Sequence, residues 1–306
     1  MLLDLIIIGG GPAGITAGIY AARKKLNTLL ISKEFGGQMA KKAVAIENYP
    51  GFKKISGLKL IQKFEKQLRK QKIDIERDAV VKVEKIDDKF FVATASKIQF
   101  ESRAVIVTSG ADPRPLEVEG EKEFIGKGVS YCTTCDGPIF ANKIVAVVGG
   151  GNSGFEAALF LSKIASKIYI LEYGPKAMAD ETNQKMVQIA KNIEVITSAD
   201  IKKIQGDKFV NSIIYQQVSI GENKTLKVQG IFVEIGHQPA TSFVKDLVDF
   251  NEKDEIKIDW QTCQTKTPGL FASGDVTEVK TKQIVVAAGE GAKAAIAAYR
   301  YLNDKH

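Results

Sequence analysis

Apolar residues fall in short blocks, and the longest of these end at glycine. Leu3-Asp4-Leu5-Ile6-Ile7-Ile8 is almost continuous, the pattern of a strand buried on both faces of a parallel sheet. A glycine turn stops it, residues 15–25 have helical composition, and 28–32 form a second apolar block. The same order returns in mid-chain, with strands over Ile144–Val148 and Lys167–Leu171 flanking a glycine turn and a helix over 155–164. Between these units the pattern changes. Residues 79–100 alternate apolar and polar positions around Asp87-Asp88-Lys89, which predicts a hairpin. A strand over 104–107 follows and delivers Gly110. Residues 200–228 alternate likewise and lead into Ile231-Phe232-Val233-Glu234-Ile235-Gly236. Each half thus predicts a doubly wound unit with an inserted antiparallel layer, closing on a strand that brings a glycine to a site. Near the end, Leu270-Phe271-Ala272-Ser273-Gly274-Asp275 reads as a strand ending in an exposed acid, and 290–302 as a helix. These read as a return to the first domain.

The two glycine turns carry the first chemistry. Gly9-Gly10-Gly11-Pro12-Ala13-Gly14 and Gly149-Gly150-Gly151-Asn152-Ser153-Gly154 both have the GxGxxG spacing between a strand and a helix. In such a dinucleotide site the first glycine permits a sharp turn. The second lets backbone approach a pyrophosphate, and the third packs helix against strand. Free N–H groups at the helix start then face the phosphates. An acid about 20 residues on is expected to hold ribose hydroxyls. Glu34 and Glu172 stand near that separation. The fold class is therefore α/β, with two Rossmann-like dinucleotide-binding domains, each three-layered (ββα).

Composition narrows the setting. The chain has 306 residues, 44% hydrophobic and 26% charged, with a net charge of +7, which suits a globular protein of two domains. The lysines are spread along the chain, without a dense basic tract interleaved with aromatics. No nucleic-acid partner is expected. An acidic protein partner would suit the basic surface. No stretch approaches the roughly 18–20 apolar residues of a membrane span. The apolar start lacks a basic leader and a cleavage site, so the expectation is a cytoplasmic protein with no membrane contact.

Of the three cysteines, two lie close together in Tyr131-Cys132-Thr133-Thr134-Cys135-Asp136-Gly137-Pro138, just before the second glycine turn. A structural zinc site needs about four ligands. Only Cys263, His237 and His306 could add sulfur or imidazole, so no metal is expected. Two inert buried thiols remain possible, but CxxC spacing closes a short disulfide ring and commonly lowers the pKa of one thiol. Redox use is the favoured reading. Asp136 is placed to act as acid or base for thiol–disulfide exchange, with a turn or helix cap as its plain structural alternative. Cys263 reads as a structural strand residue.

The motifs together resemble a known family. The first glycine turn, Phe35-Gly36-Gly37-Gln38, Glu47-Asn48-Tyr49-Pro50-Gly51, the Cys132–Cys135 motif, the second glycine turn, Ser273-Gly274-Asp275 and the 283–291 segment stand in the order found in low-molecular-weight thioredoxin reductases. Tyr131-Cys132, Asp136-Gly137-Pro138, Leu171-Glu172 and Ala179-Asp180 are also similar to the reductase portion of the alkyl hydroperoxide reductase flavoprotein. The resemblance implies FAD held by Gly9, Gly11, Pro12, Ala13, Gly14, Glu34, Gly36, Gly37, Gln38, Asn48, Gly110, Gly274 and Asp275, with Gln283 and Ile284 near the ring system. It implies a nicotinamide dinucleotide held by Gly149, Gly151, Asn152, Ser153, Gly154, Glu172 and Gly236. By the same resemblance Cys135 is the sulfur nearest the flavin, and Cys132 attacks the partner disulfide. The chain is implied to be a homodimer whose nicotinamide domain swivels. The FAD domain is assigned to 1–113 and 244–306, and the inserted NAD domain, carrying the cysteine pair, to 114–243.

The implied activity is thioredoxin-disulfide reduction: electrons pass from NAD(P)H through FAD to Cys132–Cys135, then to thioredoxin or a similar small dithiol protein. Two departures refine it. NADPH-using members carry a basic cluster after the second-unit strand, whereas this chain has Leu171-Glu172-Tyr173-Gly174-Pro175-Lys176. An acid there accepts ribose hydroxyls and repels a 2′-phosphate, which predicts NADH in preference to NADPH. Second, the peroxidase-linked flavoprotein carries an extra N-terminal redox domain, whereas this chain begins at the first strand, so a separate small dithiol protein is expected as acceptor. Alternative readings are an NADH-dependent reductase feeding a peroxiredoxin, a disulfide reductase supplied by a non-nicotinamide donor, an oxidase with oxygen as acceptor, and a nucleotide-sensing protein on the same fold.

Overall fold

The computed structural model describes residues 2–42 and 46–304; His306 lies outside them. The chain forms two compact units. One comprises Met1–Lys41, Tyr49–Asp112 and Gln238–His306, the other Lys42–Asn48 and Pro113–His237. The second is therefore inserted into the first, and each is of mixed α/β type.

The first unit opens with β1 (Leu2–Gly10), α1 (Pro12–Arg23) and β2 (Thr28–Phe35), followed by the short α2 (Gly37–Lys42) and α3 (Gly57–Arg69). Leu5, Ile6 and Ile7 are fully buried in β1, as their unbroken apolar run requires. Strands β3 (Asp74–Glu76), β4 (Val80–Ile86), β5 (Lys89–Thr94) and β6 (Gln99–Val107) complete the order β3-β2-β1-β6-β5-β4. The long β6 serves two layers. Its first half pairs antiparallel with β5, from Gln99 to Ser102, while Val105 to Val107 pair parallel with the returning strand Leu270–Ala272. The hairpin between β4 and β5 turns where the sequence predicts, with Asp87 at φ +53°.

The chain leaves this unit through β7 (Ala111–Pro113) and, after the short helix α4 (Glu121–Phe124), enters β8 (Val129–Ser130) and α5 (Thr133–Asp136). Then come β9 (Ile144–Val148), α6 (Asn152–Leu161), β10 (Lys167–Leu171), α7 (Glu181–Ile189) and β11 (Ile193–Ile196). An antiparallel sheet of β12 (Ala199–Gly206), β13 (Val210–Gln217) and β14 (Glu222–Lys227) precedes β15 (Gly230–Val233). The parallel sheet has the order β11-β10-β9-β15-β8. Its strands alternate between two cores, as the two-residue period demands. Ala146, Val148, Ile231 and Val233 pack with Ile204, Ile213 and Tyr215 of the antiparallel layer. Val145, Val147 and Phe232 pack with Phe155, Ala158 and Leu161 of α6. Two hydrophobic layers separated by one sheet make the ββα stack. The segment β16 (His237–Pro239) pairs with β7, and β17 (Leu270–Ala272) and α8 (Ile284–Asn303) complete the first unit.

Three expectations change. Helices α1 and α6 begin inside the glycine motifs, at Pro12 and Asn152. Helix α8 begins at Ile284 rather than at 290. Gly291 is a packing residue of this helix: a Cβ there would lie 2.1 Å from the Ala13 carbonyl oxygen. Cys263 is not in a strand. It occupies a turn at φ +61°, fully buried, with its N–H donating to the Asp259 carbonyl at 2.8 Å. Among the described residues, no helix is long and apolar enough to cross a membrane.

Candidate active site

In both units a helix starts against the end of a parallel strand. Gly9 and Gly149 have φ of +116° and +123°, conformations open to glycine but strained for other residues. A Cβ on Gly14 would lie 1.9 Å from the Gly9 carbonyl oxygen, and one on Gly154 would lie 1.9 Å from that of Gly149. No side chain fits there. A Cβ on Gly11 or Gly151, by contrast, would meet nothing within 4 Å. Neither α1 nor α6 has a side-chain cap, whereas Ser56 caps α3 and Asp180 caps α7. The two turns therefore combine open approach with uncapped helix amides, the arrangement that receives a phosphate.

The first turn gathers several of the candidate residues of its unit. Thr108 Oγ1 donates to the Ile8 carbonyl at 2.8 Å and leads to Gly110, which is open at φ +71°. Gly274 packs near Ala13, and Glu290 Oε2 accepts the Gly274 N–H at 2.8 Å. Asp275 is not the exposed acid the sequence suggests. It is half-buried, and burial pushes its carboxyl up to about 6, with Lys282 opposing and Glu290 and Glu255 adding. Lys282 binds the Asp275 and Thr277 carbonyls and pairs with Glu255 at 2.9 Å. This fixes the loop leading to Gln283, the residue before α8, and Ile284, its first residue. Gly36 donates its N–H to the Gly10 carbonyl at 2.8 Å. Gly37 opens α2, and Gln38 follows it, half-buried. Glu34 and Asn48 are exposed. Glu34 turns its carbonyl toward Gly10, and Asn48 falls in the 42–48 segment of the second unit.

Strand register exposes a residue missed in the sequence. Ile8 pairs with Ile31 as Val148 pairs with Leu171. The counterpart of Glu172 in the first unit is therefore Ser32, two residues before Glu34. Ser32 Oγ lies where a Gly10 Cβ would approach to 2.8 Å, and Glu172 Oε2 occupies the same place beside Gly150, at 2.5 Å. Glu172 is half-buried. Its Oε2 accepts the Gly150 N–H at 2.6 Å and its Oε1 the Gly174 N–H at 2.7 Å. Asn152 Oδ1 accepts the Asp180 N–H at 2.7 Å, Ser153 is exposed, and Gly236 is open at φ +99°.

The cysteines form a disulfide, Cys132–Cys135, with Cα atoms 5.3 Å apart. Both lie in the unit that holds the second glycine turn. Cys132 is the N-cap of α5, and its Sγ accepts the Cys135 N–H at 3.2 Å. Ser130 binds the motif from behind. Its hydroxyl donates to Asp136 Oδ2 at 2.7 Å and accepts the Cys132 N–H at 3.1 Å. Asp136 is buried, and its Oδ1 has no hydrogen-bond partner. Burial raises its carboxyl above the ordinary range, with the Ser130 hydrogen bond opposing. A carboxyl so placed can hold a proton one residue along the chain from Cys135. The segment before the pair is anchored as well. Tyr131 donates to Glu121 Oε1 at 2.6 Å, while the Glu121 carboxylate also accepts the N–H groups of Leu116 and Glu117. Ser130 and Glu121 left no motif in the sequence, since their roles arise from contacts rather than spacing. The described residues contain no group of three or more His, Cys, Asp or Glu able to hold a metal ion.

A family profile described as pyridine nucleotide-disulphide oxidoreductase matches residues 3–291. The chain belongs to that family. Among its relatives are a protein named NADH dehydrogenase from Bacillus subtilis (strain 168), 40% identical over 299 residues, and a component of the alkyl hydroperoxide reductase of Staphylococcus aureus (strain MRSA252), 40% identical over 300 residues. Each alignment covers 98% of this chain but 58% and 59% of the relative. The chain thus spans about six-tenths of the length of these curated relatives. The crystal structure of thioredoxin reductase from Streptococcus pyogenes MGAS5005 superposes with a TM-score of 0.93 at 35% identity, covering 99% of both chains.

Pyridine nucleotide-disulphide oxidoreductases imply FAD and a nicotinamide dinucleotide, and the chain has the features both need. Each unit offers a helix without a side-chain cap behind an open glycine turn, and the second unit adds the disulfide. In this oxidoreductase Asp136 also generates a pH signature. Its pKa is raised on folding, so its contribution to stability is whole below about pH 4 and is lost as pH rises through the folded value. Asp136→Asn removes that titration. The thermal midpoint of wild type relative to the Asn variant is expected to fall between pH 4 and pH 8, whereas a difference constant across that range would refute the buried acid.

Proposed function

We propose that this chain is an FAD-dependent disulfide reductase that prefers NADH and delivers electrons from Cys132–Cys135 to thioredoxin or a similar small dithiol protein. The observation carrying this reading is the disulfide backed by a buried acid in the same unit as a dinucleotide turn. The FAD domain is read as 1–113 with 244–306, and the NAD domain as 114–243. The first glycine turn, with Glu34, Gly36, Gly37, Gln38, Asn48, Gly110, Gly274, Asp275, Gln283 and Ile284, would hold FAD. The second turn, with Glu172 and Gly236, would hold the nicotinamide dinucleotide. When bound, FAD supplies two-electron chemistry, taking a hydride from the nicotinamide and returning an electron pair to the disulfide.

The chain's own residues then perform exchange. Cys132 as thiolate attacks one sulfur of the partner disulfide, forming a mixed disulfide and releasing the other partner sulfur, which takes a proton. Cys135 then displaces the partner from Cys132. This restores the Cys132–Cys135 bond and frees the second partner thiol, so two electrons have moved. Asp136 is the proton-holding group for these steps. A cytoplasmic homodimer belongs to the same reading. The named Staphylococcus aureus relative supports a second acceptor, a small dithiol relay feeding a peroxiredoxin.

NADH preference rests on Glu172. Two backbone N–H groups occupy part of its carboxylate, and a carboxylate has about four lone-pair sites, so acceptor capacity remains for ribose hydroxyls. The same charge repels a 2′-phosphate. The kcat/KM for NADH is expected to exceed that for NADPH by about tenfold or more. An equal or higher value for NADPH would contradict the role of Glu172. In Cys135→Ser, nicotinamide should still bleach the flavin anaerobically, while reduction of thioredoxin falls by about two orders of magnitude or more. Normal thioredoxin turnover in that variant would overturn the assignment of the cysteine pair.

A further inference from the structure

A second carboxyl group stands behind the redox helix. Thr133, buried between the two cysteines in sequence, donates its hydroxyl to Glu234 Oε1 at 2.8 Å. Glu234 follows the last residue of β15, and its backbone N–H donates to the Val148 carbonyl at 2.8 Å. Its own carbonyl oxygen is the atom that a Gly149 Cβ would meet at 2.3 Å. One residue therefore touches the second glycine turn with its backbone and the cysteine helix with its side chain.

We propose that Glu234 sets the reactivity of the reduced Cys132 and Cys135, as a positioning residue that holds their helix through Thr133 and places a titratable charge behind it. The inference rests on the reading of this pair as the working disulfide. A half-buried carboxylate interacts more strongly with a nearby thiolate than one in water. Among the described charged groups, Glu156 of α6 is the one whose charge acts on Glu234, while Asp136 turns to Ser130. Burial pushes the Glu234 carboxyl up to about 7, with the Thr133 hydrogen bond opposing and Glu156 adding.

The consequence has a definite sign. When the disulfide takes up two electrons, the sulfurs gain negative charge and protons are drawn to the groups around them. Below about pH 7 Glu234 is neutral and leaves thiolate formation unopposed. Above it, the carboxylate charge disfavours the thiolate. Linkage is reciprocal, so a thiolate also draws a proton onto Glu234. Near neutral pH the carboxyl is therefore a second proton store, separate from Asp136.

The test needs neither flavin reduction nor nicotinamide. The full chain is reduced with dithiothreitol, desalted without oxygen, and alkylated with iodoacetamide from pH 5.5 to 9. Peptide mass spectrometry then resolves each cysteine. Cys263, fully buried with its thiol pushed up to about 11, serves as the internal control. Glu234→Gln keeps an acceptor for Thr133 but loses the charge. It is expected to alkylate at Cys132 or Cys135 about threefold or more faster than wild type at pH 8, with the ratio falling to about one at pH 5.5. Thr133→Val removes the donor that favours the carboxylate, so its Glu234 ionises at higher pH. It should alkylate faster than wild type near pH 7.5 and match it at pH 5.5. Superimposable profiles for wild type and Glu234→Gln would refute the charge coupling. A Thr133→Val profile identical to wild type would refute the tether. Either result leaves the disulfide-reductase reading standing, since that reading is tested by turnover.

Discussion

A helix that begins in contact with the end of a parallel strand admits no side chain at the contact, and both halves of this chain are built on that constraint. Gly14 sits against the Gly9 carbonyl and Gly154 against that of Gly149, each at a separation that a Cβ would close to 1.9 Å. The close approach leaves the first helical amides uncapped and the middle glycine open. Polar backbone groups at a helix start seek a partner, and an anionic phosphate is the partner that this geometry and its positive dipole end favour. The same constraint fixes what surrounds each turn. Thr108 and Glu234 supply the carbonyl oxygens that pack on Gly9 and Gly149, so the strands ending there are set in register with the glycine loops.

In the second unit this frame positions the disulfide chemistry. The cysteine helix is held from two sides, by Ser130 with Asp136 and by Thr133 with Glu234. Both contacts end on carboxyl groups whose proton affinity burial has raised. Thiol–disulfide exchange depends on the charge state of sulfur at each step, so two carboxyl groups able to hold protons suit the redox role proposed for this helix.

Much of this was legible before the structure. Ile144–Val148 and Lys167–Leu171 read correctly as strands because buried parallel strands are continuous in apolar residues and end sharply at glycine. The start of α8 is less legible, since glycine is a poor helix former and Gly291 is required only because Ala13 packs against it. Ser32 leaves no such signal, because separation along the chain points to Glu34, whereas register across β1 and β2 decides which residue faces the turn. Asp275 looks exposed because a strand-end acid usually is, but it is half-buried, with Lys282, Glu290 and Glu255 acting on it. Glu234 did leave a signal, a charge closing the apolar run Ile231-Phe232-Val233, but its partner Thr133 lies about a hundred residues earlier.

The proposed function requires electrons from a nicotinamide to arrive at Cys132–Cys135. The most direct measurement is an anaerobic reaction with NADH followed by acid quench and a count of free thiols in the denatured chain. Before reduction, one thiol is expected, from Cys263. Three per chain are expected after NADH, with the two new thiols on Cys132 and Cys135. A flavin reduced by NADH while the count stays at one would contradict it.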